Sequence, residues 1–433
     1  MLAAVLGAGR MLFVPQTLPD AYVPLVGEEV VLEGIVIAEP DMRETSQRVL
    51  ARVPQTNVLA VASLYPEVSY GEQVRISGRF VLPQPFDTDG GRMFRYDQFL
   101  AKDGVFALVE RASLETVAPA QGIGNQAMQA LIAGKRAFQN GLAQALPEPA
   151  ASLASGLITG GKQGLGASLL DAFIASGLVH IVVLSGYNVM IVAEGVLRSL
   201  RFLGRRRAAL MAGITIALFV LAAGAGAASI RAGLMAGFAL LARATGRTYA
   251  VVRALLVAGV VMLLWNPLLL AFDPGFQLSF VATLGLILGA PVLEERLRFV
   301  RSGFWRELLS ATLAAQIAVL PLLLFQTGLL SVVALPANLL VLPVVPLAMA
   351  LSAIAGLTGM LAPAAAPLLG LPAYALLSYI TSIAEFMSAL PHASIAVPQF
   401  SFLLVLLAYG ALAYGIAKAP AHRFGARAHM RID

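Results

Sequence analysis

The run Phe173–Met190, FIASGLVHIVVLSGYNVM, is apolar enough to lie in a membrane, yet it carries His180, Ser185, Gly186 and Asn188. Lipid supplies no hydrogen bonds, so a helix broken inside a bilayer persists only where protein or a wet cavity satisfies the freed backbone groups. Such a run points to a path or a binding site as well as an anchor. Other polar residues sit in apolar surroundings downstream, among them Arg231, Asp273, Gln277 and Asn338. A charge at the bilayer centre costs about 2.5–3.5 kcal/mol on insertion scales, so each needs a partner or water. Arg231 follows GAGAASI at the start of an apolar run. It reads as an anion contact at a pore mouth, as a partner of Asp273, or as a side chain snorkelling to the interface. Asp273 precedes Pro274, which suits a helix N-cap with Pro at the first helical position. A cap lining a cavity satisfies both readings.

Several chemistries are not supported. There is no Cys, and the four His (180, 392, 422 and 429) are widely separated, so no metal site is expected. Gly160-Gly161-Lys162-Gln163-Gly164 lacks the full phosphate-loop pattern and follows no clear strand. Ser185 lies in V-L-S-G-Y, not in the G-x-S-x-G of a hydrolase elbow. Neither enzymatic activity nor a cofactor is expected.

The elements that hold these residues follow from composition. The 433-residue chain is 58% hydrophobic and 12% charged, with a mean hydropathy of +0.81, and is expected to be a polytopic α-helical membrane protein in contact with membrane lipids. Residues 1–120 hold 10 Lys and Arg against 15 Asp and Glu, and the remainder holds 20 against 9. Residues 1–24 form an apolar leader or interfacial segment, too short for a span. Residues 25–118 contain about five short β-rich runs punctuated by glycines, the pattern of a small barrel. Residues 119–150 form an amphipathic linker helix. Residues 151–417 are almost continuously apolar, with about nine spans near 176–197, 208–226, 227–242, 250–270, 275–293, 307–325, 332–357, 365–390 and 400–417. The Pro-rich stretch Leu335–Pro346 is a candidate re-entrant segment, and 418–433 is a basic tail. Arginine clusters after the first, third, fifth and ninth spans place the C-terminus in the cytoplasm and the β domain on the outer face. A secondary transporter or a lipid or polysaccharide translocase is the alternative, since interrupted spans with midplane polar residues also suit that class.

The block GLITGGKQGL, followed by LLDAFIASGLVHIVVLSGYNV, resembles the competence block of ComEC-type DNA-internalisation proteins. Gly160, Gly161, Gly164-Leu165, Phe173, Gly177, His180 and Leu184–Val189 carry the likeness. Ser229–Ala232 resembles the family's Arg-Ala motif, DPGFQLSFVATLGL its Asp-Pro motif, and Asn338 with Pro343 and Pro346 its late Asn-and-Pro helix. GEEVVLEGIVIAEP and FRYDQFLAKDGVFA look like its OB-fold segment. Gly161 stands where the family usually has Asp, and Asn188 where its Ser-Gly block ends in His. The resemblance implies a channel importing single-stranded DNA across the cell (inner) membrane in natural transformation, under a periplasmic OB-like barrel. The implied path includes His180, Ser185, Gly186, Asn188, Arg231, Asp273, Gln277 and Asn338. Phe94, Arg95 and Tyr96 are candidate DNA contacts, with the nearby rings serving either base stacking or the barrel core. Implied partners are a cytoplasmic motor or helicase, periplasmic DNA-receptor proteins and a separate nuclease, because no nuclease activity is expected in this chain.

Overall fold

The computed structural model describes residues 17–88, 91–161, 164–182 and 185–418. The apolar stretch Met1–Val14, Lys162 and the basic tail beyond Lys418 lie outside the described residues. The chain divides into two compact units. The first comprises residues up to Asp87 with Met93–Ala137 and Leu263–Asp273; the second comprises Thr88–Arg92, Phe138–Met262 and Pro274 onward.

The first unit is built on five strands: β1 (Glu29–Val36), β2 (Gln47–Val53), β3 (Thr56–Ala62), β4 (Gln73–Val81) and β5 (Val105–Ala118). Burial alternates along β2, β3 and β4, so one face of each strand points inward. The inward set is small and branched, with Val49, Ala51, Val58, Ala60, Val74, Ile76, Ala107 and Val109 fully enclosed around Phe80. β1 pairs antiparallel with both β4 and β2, which closes the barrel, and β3 pairs with β5 in parallel. The resulting closed order β1-β2-β3-β5-β4 is that of an OB-like fold. Closure needs close backbone approach at Gly34 and Gly78. A Cβ at either would sit 2.8 Å from a carbonyl oxygen, that of Arg52 or Glu110. A short helix, α1 (Tyr96–Ala101), lies in the β4–β5 connection.

A long helix, α2 (Ile123–Ala145), follows, and its residues from Phe138 belong to the second unit. The helices after it are α3 (Ala150–Thr159), α4 (Ala167–Ala175), α5 (Val179–Val182), α6 (Gly186–Ser199), α7 (Arg205–Ala222), α8 (Ala227–Thr245), α9 (Val251–Trp265), α10 (Leu268–Phe272), α11 (Pro274–Arg296), α12 (Gly303–Thr327), α13 (Ala334–Val341), α14 (Val345–Leu361), α15 (Ala366–Ser388) and α16 (Phe402–Ala417). Of these, α8, α11, α12 and α15 are long and apolar enough to cross a membrane, and α13 with α14 makes a fifth if their 51° bend is one broken span. This is a membrane protein. The expected count of about nine rests on hydropathy, which joins neighbouring short helices. Residues 176–197 hold the separate helices α5 and α6, and 250–270 holds α9 and α10, parted at Asn266-Pro267.

Without a hydrophobic drive between helices in lipid, packing relies on small residues. Gly141 of α2 faces Gly356 and Gly359 of α14 so closely that a Cβ on any of the three would overlap the opposing helix, and Gly370 of α15 meets the Ala145 carbonyl in the same way. On α11, Gly285 meets Ala314 and Ala318 of α12. Overfilling such a contact costs about 1–3 kcal/mol. Gly359→Val should therefore lower the thermal midpoint of the detergent-purified protein by several degrees, while Leu368→Val, at a position 71% exposed, should leave it within about one degree.

Candidate functional site

Two places in the fold hold the chemistry, one in each unit. In the second unit, the polar run is broken twice. α4 ends in a Schellman turn: Leu178 N–H donates to the Phe173 carbonyl at 2.8 Å and Gly177 N–H to that of Ile174 at 3.0 Å. Gly177 adopts φ +72°, and a side chain there would meet Ala334. Ser331 Oγ donates to the Ala175 carbonyl at 2.7 Å, satisfying another helix-end acceptor. The exposed His180 places Nδ1 3.1 Å from the Gly177 carbonyl.

The second break ends at Ser185, the N-cap of α6, whose Oγ accepts from Asn188 N–H and donates to Asn188 Oδ1 at 3.1 Å. Asn188 is buried, and its Nδ2 donates to the Leu157 carbonyl of α3 at 3.1 Å. Both amide atoms are used, one as acceptor and one as donor. Gly186 opens α6 against α8, and a Cβ there would lie 2.5 Å from Arg231 Nη2.

Arg231 is 8% exposed. Nε donates to Ser279 Oγ of α11 at 2.7 Å, Nη1 approaches Met235 Sδ at 3.5 Å, and the guanidinium carbon lies 5.9 Å from the Phe280 ring centre. Among the described residues, no carboxylate lies within ion-pair distance of Arg231 and Nη2 has no hydrogen-bond partner. Asp273 forms an ion pair with Lys102 within the first unit, at 3.4 Å. Within the second unit, α11 presents Ser279 to Arg231. The structure thus gathers Ser185, Gly186, Asn188 and Arg231 with Ser279 and Phe280. Gln277 instead bonds Gln326 of α12, and Asn338 donates to the Ala334 carbonyl at 2.7 Å in its own helix. Sequence reasoning did not single out Ser279 and Phe280, although both lie in the quoted Asp-Pro motif. A positive guanidinium at a helix N-terminus, where α6 contributes its positive dipole end, suits an anionic oxygen.

In the first unit, the β4–β5 connection carries a cluster of rings. Phe94 lies 5.4 Å from Phe86, 6.5 Å from Tyr96 and 5.6 Å from Phe99 between ring centres. Arg48 Nη1 of β2 contacts Tyr96 Oη at 3.4 Å, and Lys102 Nζ lies 4.5 Å from the centre of the Phe99 ring. Of Phe80, Phe86, Phe94, Tyr96, Phe99 and Phe106, only Phe80 belongs to the barrel core, stacked on Tyr22 at 6.0 Å. The acidic balance of residues 1–120 therefore hides a local patch of cations and rings. Arg48 was missed from sequence because the strand that brings it to the rings is remote in the chain, whereas Lys102 lies only three residues after Phe99. Arg95 forms a two-pronged contact with Asp97 at 3.0 and 2.7 Å, and this pairing holds the Asp97 carboxyl below the usual carboxylate range.

A family model described as Competence protein matches residues 157–420. ComE operon protein 3 of Bacillus subtilis (strain 168) is 29% identical over 221 residues, which is 51% of this chain and 27% of that protein. The chain thus aligns with about a quarter of that relative's length. No solved structure matches.

Two outcomes follow from these contacts. Asn188→Asp should destabilise the detergent-purified protein as much as Asn188→Ala, by about 1–3 kcal/mol, because a carboxylate cannot donate to the Leu157 carbonyl; thermal melting of both variants measures this. Because the folded carboxyl of Asp97 is depressed, its stabilisation is full above about pH 4 and is lost as pH falls through the folded value. Order in the ring loop, followed by tyrosine fluorescence, should be flat from about pH 5 to 8 and fall below about pH 4, and Asp97→Asn should remove that acid limb.

Proposed function

The chain belongs to the competence protein family, and we propose that it forms the channel importing single-stranded DNA across the cell membrane during natural transformation. The observation that carries this reading beyond family membership is the buried Arg231, whose Nη2, at the start of α6, has no hydrogen-bond partner among the described residues. A strand moving past it offers one phosphate after another to a fixed cation, and the absence of a paired acid keeps that cation available. Ser185, Gly186 and Asn188 hold the helix start in place, while His180, Asp273, Gln277 and Asn338 complete the proposed path. α7, α9, α16 and the α5–α6 segment supplement the longer apolar helices in an arrangement of about nine spans, with the C-terminus cytoplasmic and the barrel periplasmic.

The ring cluster acts as the entry platform. OB folds bind oligonucleotides at the face of their second and third strands and at the loop between the fourth and fifth. Here that loop supplies Phe86, Phe94, Tyr96 and Phe99, while the second strand supplies Arg48. Stacking is worth about 1–3 kcal/mol per base and tolerates any sequence. Arg48 adds charge for the backbone beside Arg95, which Asp97 holds in place, and Lys102, which pairs with Asp103 and Asp273. The chemical energy for import comes from a cytoplasmic motor, and receptor proteins deliver the DNA.

A deletion strain complemented with variants tests this. The deletion should abolish transformation, and Arg231→Ala should reduce it at least about tenfold at normal protein level, with Arg231→Lys intermediate. Normal transformation by the deletion strain would overturn the DNA reading, whereas normal transformation by Arg231→Ala would remove that residue from the path. Phe94→Ala with Tyr96→Ala should weaken oligonucleotide binding by the purified full-length protein about tenfold or more, measured by fluorescence anisotropy.

A further inference from the structure

Four arginines and no acid occupy residues 296–306, the end of α11, the turn and the first helical residues of α12. This stretch also carries Phe299, Phe304 and Trp305, which are 76%, 60% and 48% exposed. Phe304 and Trp305 pack edge to face at 5.3 Å and present one aromatic wedge. The two helices joined here are both long and apolar enough to span, and they pack along each other through Gly285 and Gly289 against Ala314. A turn between two such helices lies at the membrane surface, the depth at which tryptophan and arginine are favoured.

The arginines are poorly matched within the protein. Arg298 reaches Glu295 at 3.5 Å, but its side chain is 74% exposed, so the pair is screened by solvent. Arg296 and Arg301 are exposed. Arg306 differs: its Nε is buried and has no hydrogen-bond partner, an arrangement that is costly unless an acceptor arrives from outside. Ser302, the N-cap of α12, makes no side-chain capping bond, so the first-turn amides also lack that partner.

We propose that the α11–α12 turn is a binding site for the phosphate headgroup of anionic phospholipids, with Arg298, Arg301 and Arg306 as the anion ligands and Phe299, Phe304 and Trp305 seated among the acyl chains. The charge of the turn complements an anionic headgroup, and at the end of two membrane-length helices the exposed rings lie at the depth of the acyl chains. Each arginine near an anionic surface is worth about a fivefold gain in partition. The inference is independent of DNA import and of which face of the membrane the turn occupies.

The test uses full-length protein in nanodiscs. The chain has two tryptophans, so Trp265→Phe leaves Trp305 as the reporter. Trp305 fluorescence is compared between brominated phosphatidylglycerol diluted in phosphatidylcholine and brominated phosphatidylcholine diluted in phosphatidylglycerol, at equal mole fraction of brominated lipid. The anionic brominated lipid should quench more strongly by about twofold or more. Arg298→Gln with Arg301→Gln should reduce the excess, and adding Arg306→Gln should abolish it. The double variant keeps the test valid if the triple variant unfolds. Equal quenching by the two lipids in the parent would overturn the proposal. So would loss of the excess on adding inorganic phosphate at constant ionic strength, which would mark a free-anion site, or on adding a single-stranded oligonucleotide, which would mark a nucleic-acid surface.

Discussion

Every backbone group that a break frees inside lipid must find a partner within the protein. The segment from α4 to α6 meets this demand with local devices. Gly177 supplies the left-handed residue of a Schellman turn, Ser331 serves the Ala175 carbonyl, and Ser185 caps α6. Asn188 then ties α6 to α3 through the Leu157 carbonyl. The Ser185 cap and the Asn188 tie hold the first turn of α6, which lies against Arg231. Gly186 is the residue that permits this approach, since a side chain there would meet the guanidinium.

The same economy explains the departure at the end of the Ser-Gly block. Asn188 accepts from Ser185 with one amide atom and donates to Leu157 with the other. A neutral side chain offering both roles within one planar group completes the cap and the tie together. Its burial without charge leaves Arg231 as the cation of this junction. The guanidinium is held by a hydroxyl, a thioether and a ring, which orient it without neutralising it.

In the barrel unit, closure and exposure divide the aromatic residues. Inward positions are filled chiefly by valine and alanine, with Ile76, Leu114 and Phe80 as the larger side chains of the strands, since five strands enclose little space. The remaining rings of the β4–β5 connection gather with one another and with Arg48 and Lys102. Lys102 also pairs with Asp103 and Asp273, and its carbonyl accepts from Asn266, so the residues before α11 belong to this unit. Local clustering of cations against rings thus overrides the acidic average of the surrounding sequence.

The amino-acid sequence by itself determined the parts whose causes are local. Period-two alternation marked the five strands, sustained apolarity marked α8, α11, α12 and α15, and the interruption at Ser185-Gly186 marked the broken segment, because propensity and burial act over a few residues. Tertiary structure decided which strands meet, since the parallel β3–β5 pairing and the bends at Gly34 and Gly78 join residues remote in the chain. It also decided where helices stop within one apolar stretch. Hydropathy averages over a window, whereas a helix ends at a single Asn-Pro step or a single left-handed glycine. The partner of Arg231 was decided in the same way. Ser279 lies 48 residues beyond Arg231, and only the packing of α11 against α8 brings its hydroxyl to the guanidinium.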